Sequence, residues 1–254
     1  MEGNGRKTLQ DHWESVHHEN IRMGLPSSLV VSTLNFKRLL KSNVPKPGMS
    51  VLEIGFAPGK HLAWVAKALG ANVSGLDYSE FGMQAAERLF RSLQIKADLR
   101  CEDVFATSFR ASYFDLVYSL GLIEHFDDPR PIVGKHLELV KPGGSAIIIV
   151  PNYAGIYGRL QKYFDPDNLA IHNLGIMSIE GLKELVPANY QAYADAYFFG
   201  RVSPWLVNWQ RKWSRASCGI INHTVNSIGL IMPLDVPQLC PWIVLKVVRR
   251  SVRS

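Results

Sequence analysis

The chain has 254 residues, 47% of them apolar and 20% charged, with 20 Gly and 14 Pro. That is enough to bury one enzyme-sized core, and it excludes a disordered chain, a collagen-like repeat and a disulfide-built mini-protein. The net charge of +6 is uneven: residues 201–254 carry eight Lys or Arg against the single acid Asp235, which leaves 20 basic and 21 acidic side chains to the first 200.

A uniformly basic nucleic-acid surface does not fit that distribution, and no nucleic-acid partner is expected. Cys101, Cys218 and Cys240 are odd in number and form neither a CxxC pair nor a His/Cys cluster at metal-ligand spacing. A reducing compartment and no metal are therefore expected. The first twenty residues carry charges and histidines where a signal peptide has an apolar stretch, so the expected location is the cytoplasm.

In chain order, residues 1–45 read as a helical cap in two pieces, interrupted near Gly24-Leu25-Pro26. Residues 50–54 read as a first strand ending in the turn Gly55-Phe56-Ala57-Pro58-Gly59, followed by a helix over 60–69 with Leu62, Val65, Ala66 and Leu69 on one face. The unit repeats as a strand over 72–76, a helix over 79–93 and a strand over 98–101. A strand over 114–119, a helix over 131–140 and an almost wholly apolar strand over 145–150 follow. Beyond them, 178–186 reads as a helix capped by Ser178, and 190–199 and 242–248 as the last two strands. The expected fold is α/β: a doubly wound, mostly parallel seven-stranded sheet with helices on both faces, N-terminal helices, and an insertion at about 200–241 before the last strand. Residues 46–254 form the main domain in this reading.

The Gly-rich turn excludes two nucleotide motifs by spacing. A dinucleotide fingerprint needs Gly at 55, 57 and 60, where the chain has Gly55, Ala57 and Lys60. A P-loop needs four residues between its glycines and then Lys-Ser or Lys-Thr, whereas three intervene here and Lys60 is followed by His61. The run Val51-Leu52-Glu53-Ile54-Gly55-Phe56-Ala57-Pro58-Gly59, with Asp77 after the second strand and Asp103 after the third, resembles the S-adenosylmethionine-binding signature of the class I methyltransferases over roughly 49–150. The usual family turn is Gly-x-Gly-x-Gly; Ala57 puts a methyl group at its middle position.

The resemblance implies a role for each of these residues. Gly55, Ala57 and Gly59 would floor the nucleoside, and Asp77 would accept the ribose hydroxyls. Tyr78 would face the adenine, Asp103 beside Val104 would receive its amino group, and Glu53 would order the methionine end. Three acids at three successive strand ends, in register with a Gly turn, argue against three unrelated surface carboxylates.

The fourth strand leads into Ser119-Leu120-Gly121-Leu122-Ile123-Glu124-His125-Phe126-Asp127-Asp128-Pro129, whose Glu-His pair resembles many small-molecule methyltransferases. The resemblance lays Leu120 along the cofactor. His125 is the candidate base, because an imidazole can take a hydroxyl proton near neutrality, with Glu124 fixing the loop. The alternative is that His125 only packs beside the cofactor and alignment does the work. His172 and the His17-His18 pair are further candidates to face the acceptor.

Trp205, Trp209 and Trp213 recur every fourth residue, so a helix there would carry them as one stripe. Core packing, a lid over an apolar acceptor, and peripheral membrane contact through 201–241 all stay open. Asn222, His223, Thr224, Asn226 and Ser227, with Pro233, disfavour a spanning helix. The expected function is methyl transfer from S-adenosylmethionine to a small-molecule acceptor, most simply a hydroxyl of a sugar, lipid-linked glycan or secondary metabolite. Transfer to nitrogen or carbon, and a non-catalytic S-adenosylmethionine-binding protein, are the alternatives.

Overall fold

The computed structural model describes residues 5–8, 10–18, 24–232 and 236–251, with 15–18 as backbone only, so the side chains of His17 and His18 lie outside the description. Two helices, α1 (Gln10–His18) and α2 (Val31–Asn43), precede the alternation read from the sequence. It runs β1 (Ser50–Ile54), α3 (Lys60–Leu69), β2 (Asn72–Asp77), α4 (Glu80–Ser92), β3 (Ala97–Cys101), β4 (Phe114–Leu120), α5 (Arg130–Leu139) and β5 (Val140–Pro151). Then come α6 (Ile156–Phe164), α7 (Pro166–Ala170), α8 (Ile179–Lys183), β6 (Ala192–Phe199), α9 (Arg215–Ile231) and β7 (Trp242–Arg249).

The strands form one seven-stranded sheet in the order β3-β2-β1-β4-β5-β7-β6. The pairs within β3-β2-β1-β4-β5 are parallel, and β7 runs antiparallel to both β5 and β6. The apolar character of the central strands follows from cover on both faces: Val51, Leu52, Leu116 and Val117 are wholly buried, as are Ala146, Ile147 and Ile148. From β1 the chain winds outward to β3 and then returns to place β4 on the other side of β1. The gap above β1 and β4 is thus the switch point at which such sheets bind ligands.

Local chemistry sets the boundaries. Ser79 caps α4 by accepting from the Gly82 amide, and Ser178 caps α8 by accepting from Gly181. β5 starts five residues earlier than the sequence suggests, at Val140, which pairs with Phe114 across a register shift between Phe114 and Leu116.

The stretch holding the three tryptophans is not a helix. Trp205 and Trp209 sit on separate 3-10 turns, Pro204–Leu206 and Trp209–Arg211, and α9 begins only at Arg215, after the Ser214 cap. Ser203 and Asp165 explain the departure from the fourfold repeat. Ser203 caps the first turn, while the Asp165 carboxylate takes Asn208 at 2.8 Å and Arg211 at 3.1 Å and holds the second turn down. Trp209 is buried and stacks on Trp213 with centroids 5.5 Å apart, both against Phe164.

The N-terminal segment folds back across the carboxyl ends of the strands. Lys7 N donates to His125 O, and Asp127 N to Gly5 O, both at 2.7 Å. The Glu14 carboxylate of α1 accepts from Glu80 N at 2.7 Å, Phe81 N at 3.0 Å and the Ser79 hydroxyl at 3.0 Å. A carboxylate at the positive end of α4 satisfies amides that the helix itself leaves unbonded, which fixes α1 over the switch point.

Candidate active site

A cavity of about 620 Å³ opens at the switch point, between the β1 turn, the ends of β2 and β4, and the folded-back N-terminus. Its floor is the turn after β1. Gly55 and Gly59 have φ of +73° and +83°, a region that side chains disfavour, and the Gly55 amide donates to Leu76 O at 2.8 Å. Phe56 points back under the turn onto Gly75 of β2, where any Cβ would come within 2.8 Å of the ring. The turn is thereby pinned to the sheet.

Asp77 closes β2 and is almost wholly buried. One carboxylate oxygen accepts from Ala57 N at 3.0 Å and the other from Ser79 N at 2.9 Å. Two backbone amides thus fix the orientation of the carboxylate on the cavity wall. Ala57, the departure from the usual glycine, thus uses its amide to aim Asp77.

Glu53 is buried on β1 and accepts from the Tyr118 hydroxyl at 2.7 Å. Burial pushes its carboxyl up to about 8 against the lowering pull of that hydrogen bond, and the nearby Asp77 charge raises it further. An unfolded chain loses this proton near 4.5, so the folded state holds more protons between about 4.5 and 8. Stability therefore falls as pH rises through that window and levels above it. Glu53→Gln is expected to reduce the slope of unfolding free energy between pH 5 and 8, with Glu124 keeping its own share. Urea melts at stepped pH check this; an unchanged slope would show that Glu53 is already ionised in the fold.

Asp103 caps the 3-10 turn Val104–Ala106 and pairs with Arg6 at 2.7 Å. The Arg6 guanidinium also lies 4.9 Å from the centre of the Tyr78 ring, with Phe105 and Phe126 close by.

On the other side of the cavity stand Glu124 and His125, on a 3-10 turn (Ile123–His125), together with His172, Tyr153 and Trp13. Glu124 is 1% exposed and its Oε2 has no hydrogen-bond partner among the described residues. Burial pushes its carboxyl up to about 8. His125 directs Nδ1 at Ile171 O, 3.2 Å away, its ring meeting Trp13 edge to face and lying 4.7 Å from His172 between centroids. Burial, the neighbouring His172 and His12 push His125 down to about 3 against the raising bond to Ile171, so it is neutral at physiological pH.

The fold thus brings Glu53, Gly55, Ala57, Asp77, Tyr78, Val104, Leu120, Glu124 and His125 to the wall of one cavity. Gly59 lies beneath the turn, where a Cβ would meet Phe90 at 2.9 Å, and Asp103 stands behind Arg6 rather than on the lining. Trp205, Leu206 and Asn208 reach the cavity from the segment after β6, while α9 does not. Arg6, Thr8, Trp13, His61 and Tyr153 line it as well and carry no motif in the sequence. Fold-back of the N-terminus explains the first three.

A family model described as a methyltransferase domain matches residues 52–148. The matched segment begins in β1 and ends in β5. The chain is 29% identical over 131 residues to phosphoethanolamine N-methyltransferase 2 of Caenorhabditis elegans, a match covering 51% of this chain and 30% of that protein. It is 32% identical over 158 residues to the ubiquinone biosynthesis O-methyltransferase of Ralstonia nicotianae, covering 61% and 59%. The chain thus spans less than two thirds of either curated relative. Among solved structures, Haemonchus contortus phosphoethanolamine N-methyltransferase 2 in complex with S-adenosyl-L-methionine superimposes with a TM-score of 0.60 at 18% identity, covering 85% of this chain and 52% of that one. At that identity the likeness is one of fold. The cavity is completed by residues outside that segment: Trp13, Tyr153, His172 and Trp205.

Proposed function

We propose that the chain is an S-adenosylmethionine-dependent methyltransferase of a small molecule, with a hydroxyl of a sugar, lipid-linked glycan or secondary metabolite as the acceptor. The observation that carries this reading is Asp77, whose carboxylate is oriented by two backbone amides on the cavity wall beside a turn that holds no side chain at Gly55. A Cβ at Gly55 would make only an ordinary 3.5 Å contact with Leu122, so glycine is required there by its φ of +73°, which sets the path of the turn beneath the cavity. S-adenosylmethionine, when bound, supplies a methyl group on an electrophilic sulfonium.

The chain supplies place and protection. Asp77 accepts the ribose hydroxyls, and Tyr78, Val104 and Leu120 give apolar surface to the nucleoside. Glu53, protonated at neutral pH, offers a hydrogen-bond donor toward the methionine end. Trp13, Tyr153 and Trp205 wall off water, so proximity and dehydration carry most of the acceleration. His125, neutral and fixed by Ile171 O, receives the acceptor hydroxyl, with Glu124 holding the turn beneath it.

Nitrogen or carbon is the second choice of acceptor atom, since the curated relatives include one named for N-methylation and one for O-methylation. Incubating the protein with trideuteromethyl-labelled cofactor and metabolite extracts tests the reading: a small molecule gaining the label is the expected result. No labelled product from any extract, with cofactor bound, would instead support the non-catalytic alternative. A nucleic-acid acceptor is not part of the proposal.

We also propose that the acceptor is met at a membrane surface in the cytoplasm. Among the described residues no helix is long and apolar enough to cross a membrane. The outer side of α9 nevertheless exposes Ile220 (71%) and Ile231 (79%). Asn226 ties it to the chain before α2, accepting from Val31 N and donating to Leu29 O, which brings the exposed Leu29 alongside. No acid lies on α9, and Arg215 starts it. Sedimentation with anionic phospholipid vesicles is expected to carry the protein down and Ile220→Asp with Ile231→Asp to release it. Equal partition of wild type and variant would oppose the idea.

A further inference from the structure

We propose that Glu124, His125 and His172 form a binding site for a divalent transition-metal ion of the Zn²⁺ class, against which an oxygen-bearing acceptor is seated. The inference deepens the methyltransferase reading and rests on it for the acceptor, while the ion site itself stands on three geometric observations. One ligand atom from each of the three side chains lies within 4.8 Å of the others. Bond lengths near 2.0–2.2 Å are reached from such a triangle by inward shifts of about 0.7 Å per side chain.

The second observation concerns the tautomers. His125 Nδ1 faces Ile171 O at 3.2 Å and His172 Nδ1 faces Asn168 O at 2.7 Å. A carbonyl only accepts, so each Nδ1 carries the proton and each Nε2 is left with its lone pair. Metal-binding histidines are held in this way, with the far ring N–H given to a backbone carbonyl or carboxylate that fixes the ring. The third observation is Glu124 Oε2, a buried carboxylate oxygen with no hydrogen-bond partner in the described structure, although 99% of its residue's surface is covered. An unbonded buried oxygen of that kind costs free energy that a cation would recover.

Two imidazoles and one carboxylate are the donor set of catalytic zinc and related sites, which leave coordination positions open for a substrate oxygen. All three side chains line the cavity, so the open positions face the space the acceptor would fill. With the ion in place, the His125 Nε2 lone pair would go to the metal and the ion would orient the acceptor oxygen, so the direct His125–hydroxyl contact proposed above applies to the metal-free chain. The separation of 47 positions between His125 and His172 explains why sequence spacing gave no such expectation.

The test uses the full chain stripped with a chelator and titrated with Co²⁺ and Zn²⁺. The expected result is one ion per chain by mass spectrometry of metal content, visible Co²⁺ bands of a nitrogen-and-oxygen site displaced by Zn²⁺, and a raised melting temperature with Zn²⁺. His172→Gln and Glu124→Gln, each confirmed folded by circular dichroism, are expected to weaken the ion at least tenfold. Wild type without stoichiometric metal, or both folded variants binding it as tightly as wild type, overturns the site. S-adenosylmethionine titrated into the same metal-free samples reports on the methyltransferase reading separately: a wild type that binds cofactor but takes up no metal overturns only the ion site, and metal lost in the variants supports the ion site whatever the cofactor does.

Discussion

Asp77→Ala is expected to weaken S-adenosylmethionine binding by about 10- to 100-fold, because hydrogen bonds to a charged acceptor are each worth about 1.5–3 kcal/mol and tenfold in affinity is about 1.4. The effect has two sources. The ribose hydroxyls lose their acceptor, and Ala57 N and Ser79 N lose the partner that ties the β1 turn to the start of α4. Asp77→Asn separates them. It keeps one carbonyl oxygen for a backbone amide while removing the charge, so an intermediate loss points to the ligand contact and a loss equal to that of alanine points to the turn. Calorimetric titration of both variants, with melting temperatures as a check on folding, gives the comparison; affinity unchanged in both would mean that the ribose lies elsewhere.

His125→Ala is expected to lower turnover by about 100-fold or more, the range over which a positioned group acts on a transferring proton, with cofactor affinity changed little. His125 lines the end of the cavity proposed for the acceptor, whereas the side proposed for the cofactor is built from β1, β2 and the turn at Val104. Its ring is held by Ile171 O, Trp13 and His172, so alanine removes the hydroxyl's partner and also leaves a void beside the indole. Steady-state rates alongside cofactor titrations check the split. Near-normal turnover would assign catalysis to alignment alone, and a matching fall in cofactor affinity would place His125 on the wrong side of the cavity.

The half of the cavity proposed for the cofactor was legible as structure because its signals are local. A buried apolar strand, a turn with glycines at positive φ, and an acid at the end of the next strand are separated by one helix and one strand whatever the rest of the chain does. The acceptor half depends on contacts between distant segments. Trp13 and Arg6 reach the cavity because Glu14 caps α4 and residues 5–7 pair with 125–127, and neither feature has a periodicity that a reader of the sequence could weigh. His172 meets His125 only because Asn173 N donates to Glu124 O at 2.7 Å, a tertiary contact.

The tryptophan repeat shows the opposite case, a real local pattern overridden by structure. Fourfold spacing suits a helix, but Pro204, the Ser203 cap and the Asp165 anchor turn the chain twice instead. Trp209 is thereby buried at 7% exposure and Trp205 is left at the cavity mouth at 59%. Core packing thus holds for Trp209, while Trp205 stands on the cavity lining.

Isothermal titration of the full chain with S-adenosylmethionine, and with S-adenosylhomocysteine as a competitor, puts the central assignment to the question most directly. A single site per chain with micromolar affinity, abolished by saturating competitor, is the result the cavity at the β1–β4 switch point calls for. Absence of binding at millimolar ligand, with the protein folded, would contradict the assignment of Asp77, Glu53 and the Gly55 turn to an adenosyl cofactor.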